Sequence, residues 1–250
     1  MKKPNVFWIS IDSLRRDFLS IYNRHAMRST YLDEIAEQGC IFEDAFPGGN
    51  WTIPSHATML TGLDATSHMI WGWEHRFAPE TETAFDLFRR AGYTTGCFAI
   101  PELRSLFSSP QIDYQGSADH PALFRCLDSQ EPFFVFWHTY NVHYPYGMKA
   151  PSYFDFRTQD IDYDAGGPTM TYLRHLVVSE RVDLITDSYR SEVQKVARFI
   201  KTVAGKLRSL GKLENTYFIL TSDHGEAWRI NGMFHCNFLE EVLRVPLAIV

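Results

Sequence analysis

Hydrophobic residues along this chain fall into two patterns: short unbroken runs, and longer stretches with an apolar residue every three or four positions. The unbroken runs cover residues 5–11, 93–99, 133–137, 217–220 and 245–250. They are rich in β-branched and aromatic residues and are bounded by Pro, Gly, Asp or Ser, which is the pattern of strands buried on both faces. The periodic stretches read as helices. Thr30-Tyr31-Leu32-Asp33 has capping-box spacing, Leu32, Ile35 and Ala36 share a face, and Gly39 ends the element. A further helix starts at Pro54, which loses no hydrogen bond in a first turn, and runs to Gly62. Another opens near Thr81, buries Ala84, Phe85, Phe88 and Ala91, and stops at Gly92. Residues from about 172 to 210 read as mainly helical, with a core stripe of Val193, Val196, Ile200, Val203, Leu207 and Leu210. Residues 101–130 carry no clear period and read as loops with short elements.

Apolar strands between amphipathic helices need a sheet covered on both faces. The predicted fold is therefore a three-layer α/β/α sandwich with a largely parallel central sheet, in which the five runs are central. No internal repeat or linker divides residues 1–250.

Composition narrows the picture. With 250 residues, 45% hydrophobic and 15% aromatic, the chain can build one large domain. A net charge of −6 provides no basic field for nucleic acid. The apolar run after Lys2 and Lys3 stops at Asp12, too short for a signal-peptide core or a membrane span. A cytoplasmic protein with no nucleic-acid or membrane partner is expected, and an oligomer remains open. Cys40, Cys97, Cys126 and Cys236 lack paired metal-ligand spacing, so reduced and largely buried thiols are expected.

Candidate chemistry gathers where strands end. Asp12 follows the first strand, at the sheet edge where α/β proteins bind ligands, although a turn-forming Asp is an equal reading. Thr52 stands at the start of the helix that contains Pro54, where free N–H groups and the helix dipole favour an anion. A simple N-cap threonine is the plainer reading. The 133–137 strand delivers His138, Asn141 and His143 into the loop beyond it, though a single His is more often structural. The 217–220 strand ends in Thr221-Ser222-Asp223-His224-Gly225-Glu226. Asp223 and His224 suit a hard or borderline divalent cation. Asp12 adds a third ligand if its strand is a neighbour, and Thr52 a fourth. His235 lies further on.

The order and spacing of these motifs resemble the sulfatase branch of the alkaline phosphatase superfamily along nearly the whole chain. Residues 5–15 resemble that family's opening strand and metal-binding Asp, 51–62 its nucleophile motif, and 133–146 the strand leading to a substrate-contacting His before Pro-Tyr. Asp223-His224-Gly225-Glu226 resembles the second metal motif, and 239–247 the closing segment. The resemblance implies an alkaline phosphatase-like fold, Asp12, Asp223 and His224 as metal ligands, and Thr52 as nucleophile that also approaches the metal. It implies His143 and His235 as contacts to the transferred or leaving group, with interchangeable roles. His56 and Asn141 are expected substrate contacts.

The departures matter equally. Classical sulfatases carry a Cys, matured to formylglycine, at the position of Thr52, and an Arg at that of His56, so formylglycine chemistry is excluded. Ser13 replaces a second consecutive metal-binding Asp, which resembles the phosphonate monoester hydrolase and phosphodiesterase side of the group. Ligands for a second zinc are not evident. The expectation is therefore one divalent cation among Mn, Zn, Ca and Mg, with the imidazole favouring Mn or Zn. The expected activity is hydrolysis of a phosphoric ester, phosphodiester or phosphonate on a small molecule or glycan, through covalent Thr52. Sulfate-ester hydrolysis without formylglycine is the alternative, and a decayed site that only binds an oxyanion or a partner is the alternative of another class. The family's smaller C-terminal subdomain has no counterpart, so a short or truncated chain is expected, with an apolar face exposed or covered in an oligomer.

Overall fold

The computed structural model describes residues 3–25, 28–107, 110–152 and 167–250. In chain order its strands are β1 (Asn5–Ile11), β2 (Cys40–Ile41), β3 (Thr94–Phe98), β4 (Tyr114–Gly116), β5 (Phe133–Thr139), β6 (Thr216–Thr221), β7 (Ala227–Arg229), β8 (Gly232–Phe234) and β9 (Leu247–Ile249). Its α-helices are α1 (Tyr31–Ala36), α2 (Thr52–Thr61), α3 (Ala65–His68), α4 (Ala84–Arg90), α5 (Pro101–Leu106), α6 (Ala122–Leu127), α7 (Gly167–Val178), α8 (Val182–Ser209) and α9 (Glu240–Leu243).

The main sheet has seven strands in the order β2-β9-β6-β1-β5-β3-β4, with β1 at its centre. Strands β6, β1, β5, β3 and β4 run parallel. Their side chains alternate between two apolar layers, as the period of two requires. Phe7, Ile9 and Ile11 of β1 and Phe133, Val135 and Trp137 of β5 pack with α1, α6, α7 and α8. Val6, Phe134 and Phe136 face the other way, onto Ile53, Ala57 and Leu60 of α2, Phe85 of α4 and Leu103 of α5. Helices thus cover both faces of a mostly parallel sheet, which is the expected three-layer class.

Several details differ from the sequence reading. The closing strand is shorter than 245–250, runs antiparallel to β6, and lies next to the edge strand β2 rather than at the centre. The long helical stretch breaks between α7 and α8, where Glu180 takes a left-handed φ of 59°. Both helices bury residues in the same core cluster. Residues 101–130 do carry short elements, α5, β4 and α6, with 108–109 outside the described residues. Cys97 and Cys126 are buried, but Cys40 and Cys236 are exposed. No helix among the described residues is long and apolar enough to cross a membrane.

Candidate active site

The register of β1 with its neighbours assembles the site. Ser10 lies opposite His138 of β5 and Thr221 of β6, so the residues that follow each strand meet at one edge. The Asp12 amide donates to the Thr139 carbonyl at 3.0 Å, and the Leu14 amide to Ser222 Oγ at 2.9 Å. These ties bring ligand atoms of Asp12, Asp223 and His224 within 4.8 Å of one another, all fully buried. His224 Nδ1 donates to the Gly225 carbonyl at 2.8 Å. That bond turns the Nε2 lone pair toward Asp12 Oδ1 at 3.8 Å and Asp223 Oδ2 at 3.5 Å.

Ser13 does not restore a carboxylate to the site, but it braces the two that are there. Its hydroxyl donates to Asp12 Oδ1 at 2.7 Å and its amide to Asp223 Oδ1 at 3.2 Å. Asp223 Oδ2 has no hydrogen-bond partner among the described residues. Burial raises the pKa of each carboxyl to about 7, and for Asp12 the neighbouring Asp223 charge adds to the effect. Two buried carboxylates and an imidazole lone pair, one oxygen of them orphaned, form a donor set short of positive charge. The residues therefore fit a divalent cation.

Thr52 is the first residue of α2, not its cap. The N-cap is Trp51, in extended backbone and without a side-chain cap bond. Thr52 Oγ1 instead lies 3.3 Å from Asp12 Oδ2 and 3.4 Å from His224 Nε2. The plainer reading of Thr52 as a cap is thereby set aside.

His56 departs from its expected role. It is fully buried, its Nε2 accepts from Ser10 Oγ at 2.9 Å, and its Nδ1 donates to the Thr52 carbonyl at 2.7 Å. Burial pushes its pKa down to about 3, so it is a neutral strut within α2 with no donor left for a substrate anion. Asn141 is exposed. Its Oδ1 accepts from Thr139 Oγ1 at 2.5 Å, and it lines an adjoining cavity of about 600 Å³ with Arg104, Lys195 and Phe199.

The two histidines expected at the transferred group are unlike each other. His143 is buried, donates from Nδ1 to the Tyr144 carbonyl at 2.7 Å and accepts the Tyr140 hydroxyl on Nε2 at 2.7 Å. Burial takes its pKa down to about 3. His235 also loses solvation, yet the Glu226 carboxylate 3.5 Å from its Nδ1 carries its pKa above the ordinary range. Ring centroids step from His224 to His235 at 4.5 Å and on to His143 at 5.0 Å, so all three border one space.

Sequence reasoning assigned no role to Glu226, Tyr140, Ser13 or His138. Glu226 stands in the second metal motif, but only packing reveals that it is fully buried and aimed at His235.

The sulfatase family model matches residues 4–104 and 121–249. A low-salt glycan biosynthesis sulfotransferase, Agl7, of Haloferax volcanii is 24% identical over 261 residues, covering 98% of this chain and 54% of its own. A solved 2-O GAG sulfatase superposes with a TM-score of 0.80 at 18% identity, covering all of this chain and 64% of that one. The phosphonate monoester hydrolase of Agrobacterium radiobacter gives 0.76 at 19% identity, with coverages of 99% and 68%. Both solved structures share the fold described above, and the chain spans about half to two thirds of these relatives' length.

Proposed function

The chain belongs to the sulfatase family, and on that premise we propose that it is a metal-dependent hydrolase of phosphodiester or phosphonate monoester bonds acting through covalent Thr52. The observation that carries the reading is the Thr52 hydroxyl, which is free of capping duty and within 3.4 Å of two candidate metal ligands. A divalent cation held by Asp12, Asp223 and His224 would lower the pKa of that hydroxyl and neutralise charge on the substrate's non-bridging oxygens.

The chain's own groups account for the remaining steps. Thr52 enters as its alkoxide, with its proton lost to solvent. Its oxygen bonds to phosphorus as the phosphorus–oxygen bond to the alcohol breaks. The amides of the first turn of α2 point toward the anion that Thr52 meets. His235 protonates the departing alcohol from Nε2, because Nδ1 is directed at Glu226. His143 is the weaker candidate acid, since it is neutral and both its nitrogens are engaged. Water then attacks the phosphothreonine, giving its proton to His235, and Thr52 leaves as the alkoxide.

Phosphorus is preferred to sulfur because hydrated formylglycine expels sulfate through its second hydroxyl, a route closed to threonine. Similarity to a 2-O GAG sulfatase keeps sulfate esters as the second reading. The test compares wild type, Thr52→Ala and Thr52→Cys on matched aryl phosphodiester and aryl sulfate substrates. Inactive Thr52→Ala and faster phosphodiester turnover by wild type are expected. Faster sulfate turnover would reverse the phosphorus preference, and an active Thr52→Ala would remove the covalent route.

A further inference from the structure

β5 carries His138 into the interior in register with Ser10, directly beside Asp12. The side chain is fully buried, and neither ring nitrogen has a hydrogen-bond partner of full geometry among the described residues, the Ser10 backbone offering only a weak contact. Leaving a buried polar group unpaired costs roughly 1–3 kcal/mol. A leucine would fill the same space without that penalty, so packing alone does not account for an imidazole here. Its surroundings are specific. Nε2 lies 3.6 Å from Asp12 Oδ2, and the ring stands edge-on to His56 at a centroid distance of 4.6 Å. Burial, reinforced by the neighbouring histidines, keeps it neutral.

Asp12 is gripped unevenly. Oδ1 receives the Ser13 hydroxyl at 2.7 Å, whereas Oδ2 is approached, among the described residues, only by Thr52 at 3.3 Å and by His138. His138 lies outside the group whose ligand atoms gather within 4.8 Å, so it is no member of the inner ligand set. Its Nε2 is just beyond bonding distance of Oδ2, a gap that a small side-chain rotation closes. Ligating carboxylates are commonly held by such outer donors, and loss of one typically weakens metal binding about 10–100-fold. A neutral imidazole suits this place because it orients the carboxylate without cancelling the negative charge that attracts a cation.

We propose that His138 is a positioning residue of the metal centre, whose Nε2–H holds Asp12 Oδ2 when the carboxylate binds a divalent cation. The inference rests on the metal-site reading above.

The test titrates Mn2+ or Zn2+ calorimetrically into wild type, His138→Leu and His138→Gln, and follows thermal unfolding of each protein in chelator. His138→Leu is expected to melt at or above the wild-type temperature without cation, because it removes two poorly satisfied buried nitrogens, and yet to bind cation about 10–100-fold more weakly. His138→Gln, which keeps an N–H donor, is expected to recover much of the affinity. A His138→Leu protein that is less stable than wild type in chelator, or that binds cation as tightly, overturns the inference. The wild-type titration separates the two levels, since a wild type that binds no divalent cation defeats the metal reading itself.

Discussion

Replacing Asp223 by Asn tests whether the site is built around a missing positive charge. The folded protein raises the Asp223 pKa from 3.8 to about 7, chiefly through burial. A raised acid pKa means that the folded state prefers the protonated carboxyl. The penalty for ionising it is absent below the unfolded pKa, grows as pH climbs from about 4 to about 7, and levels off above that, reaching about 4 kcal/mol. Between about pH 5 and about pH 8 the penalty grows by roughly 2 to 3 kcal/mol. Asparagine carries no such charge and can keep Oδ1 as acceptor for the Ser13 and His224 amides, at 3.2 and 3.0 Å in the native protein. The buried histidines titrate in the opposite sense, but they are common to both proteins and largely cancel in the comparison. In chelator, Asp223→Asn should therefore gain roughly 2 to 3 kcal/mol on wild type from about pH 5 to about pH 8, read as a shift in urea midpoint at unchanged slope. Adding a divalent cation should reverse the order, since wild type alone keeps the full ligand set. A stability gap that stays constant or narrows with rising pH would refute the assignment of Asp223 as a buried carboxylate awaiting a cation.

Two further outcomes follow from the same groups. Glu226→Gln removes the charge that lifts His235, so it should slow release of alkyl alcohols by about 10²–10⁴-fold while barely affecting nitrophenyl leaving groups, and should move the alkaline fall of the rate to lower pH; uniform slowing across leaving groups would count against His235 as the acid. Aryl phosphate monoesters, which carry one more negative charge than diesters, should show kcat/KM at least about tenfold below matched aryl phosphodiesters; equal values would contradict a site balanced for a monoanion.

The fold was legible where burial is two-sided. β1 and β5 are covered by helices on both faces, so nearly every residue is apolar and the runs stand out in the sequence. Asp12 and the Asp223-His224 pair were legible because a carboxylate or imidazole at the end of a buried strand contributes little to packing and sits where ligands bind. The direction of β9 was not legible. Three residues carry no orientation signal, and the strand is steered by distant contacts, among them the Gly225 amide on the Val242 carbonyl at 2.7 Å. Gly225 admits that approach because a Cβ there would overlap the Glu241 carbonyl oxygen. His56, His138 and Glu226 were obscure for a related reason. Whether a polar side chain faces water or sits sealed against a carboxylate is decided by residues 46 to 126 positions distant for the two histidines, and no local period records it.

The polar interior has a charge logic that ties metal and acid together. Among the described residues, the Asp12, Asp223 and Glu226 carboxylates lie within 4.0 Å of histidine nitrogens alone, and no Lys or Arg side chain pairs with them. Buried carboxylates without counter-charge are costly, and His56, His138, His143 and His224 are all held toward neutrality by burial. His235 is the exception, lifted by Glu226. A divalent cation against Asp12 and Asp223, and an imidazolium against Glu226, would leave the empty site formally neutral. A monoanionic ester then adds a single negative charge, placed between the cation and the N-terminus of α2. A dianion would add a second charge with no side-chain cation to meet it. In the proposed reaction, departure of the alcohol would need the proton on His235, which the Glu226 charge favours. The acid-rich interior would thus serve both halves of that reaction: the Asp12–Asp223 pair would hold the cation that activates Thr52, and Glu226 would keep on His235 the proton that releases the product.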